Sequence, residues 1–202
     1  MPPRWIEQQL RHRGIRDERV LAAMARVPRE AFVPPDARRH AYADVALALP
    51  HGQTISQPYI VALICQALEL EGHERVLDVG TGSGYQAAVL AALAAEVVSV
   101  ERIPELAEQA RLNLDAAGYD VEVRVGDGSL GVPDRAPYDA IAVAATTPEV
   151  PEPLYEQLAT GGRLVLPIDE SLVSVTKTPS GRRARFLSPA RFVPLVTGLP
   201  DQ

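Results

Sequence analysis

Val76-Leu77-Asp78-Val79-Gly80-Thr81-Gly82-Ser83-Gly84-Tyr85 is a short apolar run closed by three alternating glycines. The run reads as a buried strand, and Gln86-Ala87-Ala88-Val89-Leu90-Ala91-Ala92-Leu93 behind it begins a helix. Strand, glycine turn and helix together bring a ligand close to backbone N–H groups at the positive end of a helix. A second apolar run, Val97-Val98-Ser99-Val100, ends at Glu101. An acid there is placed to accept hydrogen bonds from both hydroxyls of a ribose. Nucleoside-cofactor binding is the first hypothesis.

Outward from this stretch the pattern alternates. Strands are expected at 75–79, 96–100, 121–125, 138–144 and 163–168, with helices at 83–94, 104–117 and 151–159 between them. Such alternation implies an α/β protein with a doubly wound, mostly parallel sheet. After Pro167 the helices stop. Leu172 to Thr176 and Ala184 to Val196, around a Pro179-Ser180-Gly181 turn, read as antiparallel edge strands.

Upstream, residues 4–13 and 17–27 read as helices, with Asp17 as N-cap and Val20, Leu21, Met24 and Val27 on one face. Prolines break the segment 27–35, and Tyr42 to Pro58 is irregular, as functional segments of compact domains often are. Pro58 suits the first turn of a helix through Ile60, Leu63, Ile64 and Leu68, with Ser56 or Gln57 near its cap. The expected organisation is one domain. Residues 1–74 supply N-terminal helices and a substrate loop, 75–168 the cofactor-binding core, and 169–202 the edge strands.

A chain of 202 residues with 47% hydrophobic content can bury a substantial core. Its net charge of −6 argues against a general grip on nucleic acid. Arg11, Arg13 and Arg16, and Arg182, Arg183 and Arg185, read as solvated surface. The lone Cys65 lies in an apolar helical pattern and reads as core; one cysteine offers neither an internal disulfide nor a zinc-type spacing. No metal site is expected. With no membrane-length stretch and no signal pattern, a cytoplasmic protein without a membrane partner is expected, and a monomer is favoured.

Spacing discriminates among cofactors. The glycines fall as G-x-G-x-G, whereas dinucleotide binders favour G-x-G-x-x-G. Asp78 adds a carboxylate beside the turn, which suits a cationic ligand and repels a pyrophosphate. Asp127, after the third strand, is placed to bond an exocyclic adenine amine. Three acids at the carboxyl ends of adjacent strands describe a site for S-adenosylmethionine, which has a sulfonium and no phosphate. The expected cofactor-binding residues are Asp78, Gly80, Thr81, Gly82, Gly84, Glu101, Arg102, Asp127 and Gly128. Capping by the acids and a tight turn at the glycines account for each residue singly but not for their joint spacing.

The chain resembles the protein-L-isoaspartate O-methyltransferase family, a group with a Rossmann-like methyltransferase fold. The similarity runs from about Gln9 to Val196. It is carried by Val27-Pro28-Arg29-Glu30-Ala31-Phe32-Val33-Pro34, Gln53-Thr54-Ile55-Ser56-Gln57-Pro58, Asp78 through Tyr85, Gly126-Asp127-Gly128, Ala136 to Ile141, Gln157-Leu158 with Gly161-Gly162, and Phe192-Val193-Pro194-Leu195. The glycine motif is common to many methyltransferases; the Thr54-Ile55-Ser56 segment with its proline is far more specific.

The resemblance implies methyl transfer from S-adenosylmethionine to the α-carboxylate of L-isoaspartyl residues in damaged proteins and peptides. The ester then collapses unaided to a succinimide, whose hydrolysis restores some normal aspartyl linkage. A carboxylate is already anionic at neutral pH, so no general base is required. Ser56 matches the family's active-site serine, placed to orient the substrate carboxylate, with Thr54 and Ile55 lining the same cleft. A helix N-cap is the structural alternative for Ser56. His51 reads as surface loop.

The chain departs from the family pattern at Ala46 to Gly52, at Ala144-Ala145-Thr146-Thr147 and at Ile168-Asp169-Glu170-Ser171. These segments are expected to flank the cleft. Other readings remain open: a carboxyl methyltransferase for an aspartate of a dedicated peptide partner, a non-catalytic S-adenosylmethionine-binding module, and a nicotinamide dehydrogenase.

Overall fold

The computed structural model describes residues 3–200. The chain opens with a wide π-helical turn, Ile6–Leu10, that runs into a tight 3₁₀ turn, Arg11–Arg13, in place of the regular helix expected at 4–13. Helix α1, Glu18–Arg26, follows, and the Asp17 carboxylate accepts the N–H groups of Arg19 and Val20. Val20, Leu21 and Met24 are buried on its inner face. A two-residue hairpin, β1 (Leu47–Ala48) with β2 (Thr54–Ile55), then projects the Thr54 to Ser56 segment ahead of α2, Pro58–Leu68.

The remaining elements alternate: β3 (Arg75–Val79), α3 (Tyr85–Ala91), β4 (Glu96–Glu101), α4 (Pro104–Ala117), β5 (Glu122–Val125), β6 (Tyr138–Val143), α5 (Glu152–Gln157), β7 (Leu158–Ile168), β8 (Ser171–Thr178) and β9 (Gly181–Pro189). One seven-stranded sheet runs β5-β4-β3-β6-β7-β8-β9. Its first five strands are parallel, and β8 and β9 close it as an antiparallel meander.

Apolar residues explain why this sheet forms in the middle. Side chains alternate along β3, so Val76 joins a cluster with α1, α2 and α3. Leu77 and Val79 join a second cluster on the other face with Val98, Val100, Ile141 and Leu154. Each fully buried Val or Leu contributes about 1.5–3 kcal/mol to this packing. The chain leaves β3 towards β4 and β5, then returns to β6 on the opposite side of β3. The loops after β3 and β6 therefore diverge and open a crevice at the carboxyl ends of the strands.

Several boundaries differ from expectation, and three of them shape the site. Helix α3 starts only at Tyr85, because Gly84, with φ of 88°, forms its left-handed N-cap. Strand β7 begins at Leu158 rather than 163, since a register shift between Tyr138 and Ala140 keeps Leu158 opposite Tyr138. The strand expected from Ala184 to Val196 ends at Pro189. Pro189 and Pro194 lack the N–H that a ladder needs, and residues 193–195 cross instead to Thr146. No helix among the described residues is long and apolar enough to cross a membrane.

Candidate active site

The glycine turn lies where β3 meets the crevice. Gly80, Gly82 and Gly84 adopt φ of 93°, 55° and 88°, a region costly for residues with a Cβ. The Gly80 N–H donates to Val100 O at 2.9 Å, which ties the turn to β4. The Gly82 N–H donates to Glu101 Oε2 at 2.9 Å. Thr81 is buried beneath the turn with its hydroxyl 2.6 Å from that of Ser99. At Gly128 a side chain is excluded outright: a Cβ there would lie 2.7 Å from Val79 Cγ1.

The three acids occupy different positions. Glu101, 6% exposed, forms part of the crevice wall and accepts the N–H groups of Gly82 and Ile103. A carboxylate has about four acceptor sites, so two remain for a ligand's hydroxyls. Asp78 does not line the crevice. It is fully buried and accepts from Gln86 Nε2 and Ser99 Oγ, both at 2.8 Å. Burial pushes its carboxyl up to about 6, opposed by the Gln86 and Ser99 bonds and reinforced by the Glu101 charge. The geometry makes Asp78 a support that holds α3 and β4 around the turn.

Asp127 is half-buried and accepts from Ser129 and from the Gly198 N–H at 2.6 Å. Burial acts to raise its carboxyl, but the bonds from Ser129 and Gly198, with Arg102 nearby, hold it below the ordinary value. Arg102 donates through Nε to Gly198 O at 3.1 Å. The two side chains thus clasp a C-terminal strap whose residues Val193 to Val196 form the outer wall of the crevice. The strap is anchored again by Thr146, through bonds to Val193 O and from the Leu195 N–H.

Of the expected cofactor residues, the fold gathers Gly80, Gly82, Glu101, Arg102 and Gly128 on one crevice, with Thr81 on its inner extension. Gly84 serves the helix start, and Asp127 acts from behind through Gly198. Apolar Val79, Val100, Ile103 and the strap offer a slot for a flat base, and Gln53 and Ala144 complete it. Among the described residues Arg102 is the one cation lining the crevice, it is engaged by the Gly198 carbonyl, and no further basic group lines the wall for a phosphate. A turn of positive-φ glycines without side chains, a carboxylate with free acceptors and a cradle too tight for a Cβ at residue 128 fit a phosphate-free nucleoside.

A separate groove of about 610 Å³ lies between the Thr54 to Ile60 segment and residues 188–193. Thr54 borders both groove and crevice, and Ser56 borders the groove and the crevice's inner extension. Ile55, 4% exposed, lines that extension. Gln57 holds the N-cap position of α2 and no side chain caps it, so Ser56 is not spent on capping. Arg13, expected as plain solvated surface, lines the groove, with its guanidinium 3.6 Å from the Tyr59 ring centre and paired with Asp44. His51 lies in the left-handed turn between β1 and β2 and borders a different pocket, with Phe32 and Gly82. Cys65 is buried in α2. Among the described residues no cluster has the make-up of a metal site.

A Rossmann-like sheet with a nucleoside crevice and a second groove sharing Thr54 in its wall defines an S-adenosylmethionine-dependent methyltransferase. Comparison with known proteins narrows the class. The sequence model of the Protein-L-isoaspartate(D-aspartate) O-methyltransferase (PCMT) family matches residues 4–199. A protein-L-isoaspartate O-methyltransferase of Methanoculleus marisnigri is 54% identical over 196 residues, covering 95% of this chain and 89% of that one. One from Marinobacter nauticus is 56% identical over 198 residues, covering 95% and 90%. Among solved structures, a protein-L-isoaspartate O-methyltransferase superposes with a TM-score of 0.82 at 30% identity, over 94% of this chain and 64% of that one. A Plasmodium falciparum beta-aspartate methyltransferase (PCMT), solved with S-adenosyl-L-homocysteine, gives 0.83 at 26% identity, over 96% and 97%. The chain belongs to the protein-L-isoaspartate(D-aspartate) O-methyltransferase family.

Proposed function

We propose that this chain methylates the α-carboxylate of L-isoaspartyl residues in proteins and peptides, with S-adenosylmethionine as donor. The observation that carries the reading is the shared wall: Thr54 borders both the groove and the nucleoside crevice, and Ser56 beside it borders the groove and the crevice's inner extension. An acceptor in the groove and a donor in the crevice then meet at these two residues.

S-adenosylmethionine, when bound, would supply an electrophilic methyl group to a carboxylate oxygen, the C–O bond forming as the C–S bond breaks and the sulfur keeps the electron pair as a neutral thioether. The residues of this chain bind and aim. Glu101 takes the ribose hydroxyls, the side-chain-free turn at Gly80 and Gly82 lets the donor approach the backbone, and Gly128 with the strap encloses the base. Asp127 acts at the base end, directly on the amine or through the strap. The Ser56 hydroxyl donates to one oxygen of the substrate carboxylate and leaves the other directed at the methyl group. No proton is removed from the acceptor, so no general base is needed. Rate enhancement comes from orientation, which supplies roughly 7–11 kcal/mol in well-aligned intramolecular systems. The single buried thiol of Cys65 accords with a cytoplasmic setting.

Matched isoaspartyl and aspartyl peptides test the reading in a methyl-transfer assay. Transfer to the isoaspartyl peptide with little or none to its counterpart is expected. Equal rates on both sink it, and cofactor binding without any turnover makes the chain a non-catalytic module.

A further inference from the structure

Arg29 is fully buried in the turn Arg29–Phe32, directly behind Ser56. Its Nη2 donates to Ser56 O at 2.8 Å and its Nε to Ala41 O at 2.7 Å. The guanidinium carbon lies 4.6 Å from the centre of the Tyr85 ring, and Tyr85 lines the inner extension that Ser56 also borders. Nη1 is buried without a hydrogen-bond partner. Among the described residues no carboxylate forms a salt bridge with this cation; nearby Asp44 is paired with Arg13. Burial lowers its pKa, opposed mainly by the Tyr85 hydroxyl, yet a guanidinium stays charged under any such shift.

An unneutralised buried charge is costly, and a tie between two carbonyls does not require one. A neutral amide side chain makes the same kind of bond. The charge becomes useful when the reaction brings an anion to the other side of Ser56. We infer that Arg29 is the positioning residue of the methyl-accepting site. Its forked bonds fix the Ser56 backbone, and its charge favours the acceptor's carboxylate over a neutral group in the adjoining groove. The inference deepens the isoaspartyl reading and rests on it.

The test measures binding of two peptides in the presence of S-adenosylhomocysteine: an isoaspartyl peptide, and the same peptide with its α-carboxylate replaced by a carboxamide. The wild-type protein prefers the carboxylate by at least about tenfold, the scale expected for a poorly screened charge. Arg29→Met brings the two affinities within about twofold of each other, while affinity for S-adenosylhomocysteine stays within about twofold of wild type. Arg29→Lys keeps the charge and loses the fork, so it keeps the carboxylate preference but lowers kcat. A purely structural role moves the melting temperature and the active fraction and leaves the carboxylate preference intact, and that result overturns the inference. Should Arg29→Met fail to fold, loss of the preference in folded Arg29→Lys, or wild-type kcat there, overturns it equally. Wild-type protein that binds neither peptide and turns over no isoaspartyl peptide refutes the substrate reading, and this inference with it. Wild-type turnover with an unchanged preference in the Arg29 variants refutes the inference alone.

Discussion

The Gly82 N–H donates to the Glu101 carboxylate at 2.9 Å, so the second glycine of the turn and the acid ending β4 form one unit. Removing the acid frees a strained turn and deletes the acceptor proposed for the ribose. Glu101→Ala is expected to weaken S-adenosylhomocysteine binding about 10–100-fold, as for lost hydrogen bonds to a charged group. Isothermal calorimetry reads this directly. An unaltered dissociation constant rejects the ribose assignment.

Ser56 makes no contribution to the cap of α2, so its removal separates chemistry from stability. Ser56→Ala is expected to lower kcat about 10–100-fold through one lost orienting hydrogen bond to a charged acceptor. Cofactor affinity stays near wild type, and so does the melting temperature. Unchanged turnover returns Ser56 to a passive place in the wall.

Asp78 links the site to the stability profile. Its carboxyl is raised from 3.8 to about 6 by burial. The folded chain therefore holds this proton more tightly than the unfolded chain. The resulting stability is full below about pH 4 and is lost as pH rises through 6. The loss is of order 3 kcal/mol for a shift of this size. Asp78→Asn cannot titrate, so urea denaturation at pH 4 and pH 7.5 is expected to show the variant gaining on wild type as pH rises. A pH-independent difference places the ionisation on another group.

Asp127 holds the strap through Gly198, and Arg102 holds the same residue from its carbonyl side. Asp127→Ala is expected to weaken S-adenosylhomocysteine binding about tenfold or more, with faster release in stopped flow. Arg102→Ala, which breaks a longer bond at 3.1 Å against 2.6 Å, has a smaller effect. Equal affinities in all three proteins mean that the strap closes without the clasp.

The parallel core and the glycine turn were legible because their signals are local: apolar runs, alternating glycines and the Asp17 cap. The direction of Asp78 was not. A strand buried on both faces has no polar side, so nothing in the run 76–79 shows that this carboxylate turns inward to Gln86. The strap escaped for a different reason. Val193 to Val196 are a short apolar run like the end of an edge strand, and only the contacts of the strap with Thr146 and Asp127 place it over the crevice. Arg13 and Arg29 were hidden by their chemistry, since an arginine's long stem reaches both solvent and core. The division of groove from crevice at Thr54 and Ser56 depends on the β1–β2 hairpin, whose strands are too short to leave a periodic trace.

The groove's dimensions bear on which damaged sites can be reached. In the proposed reaction the acceptor segment enters the groove of about 610 Å³ and reaches Ser56. An isoaspartyl linkage locked inside a helix or sheet cannot make that journey until its neighbourhood opens. Methylation of a folded protein is thereby throttled by the target's own local unfolding, about tenfold slower for each 1.4 kcal/mol of opening free energy. Rates across a set of damaged proteins would then rank the targets by how readily they fray.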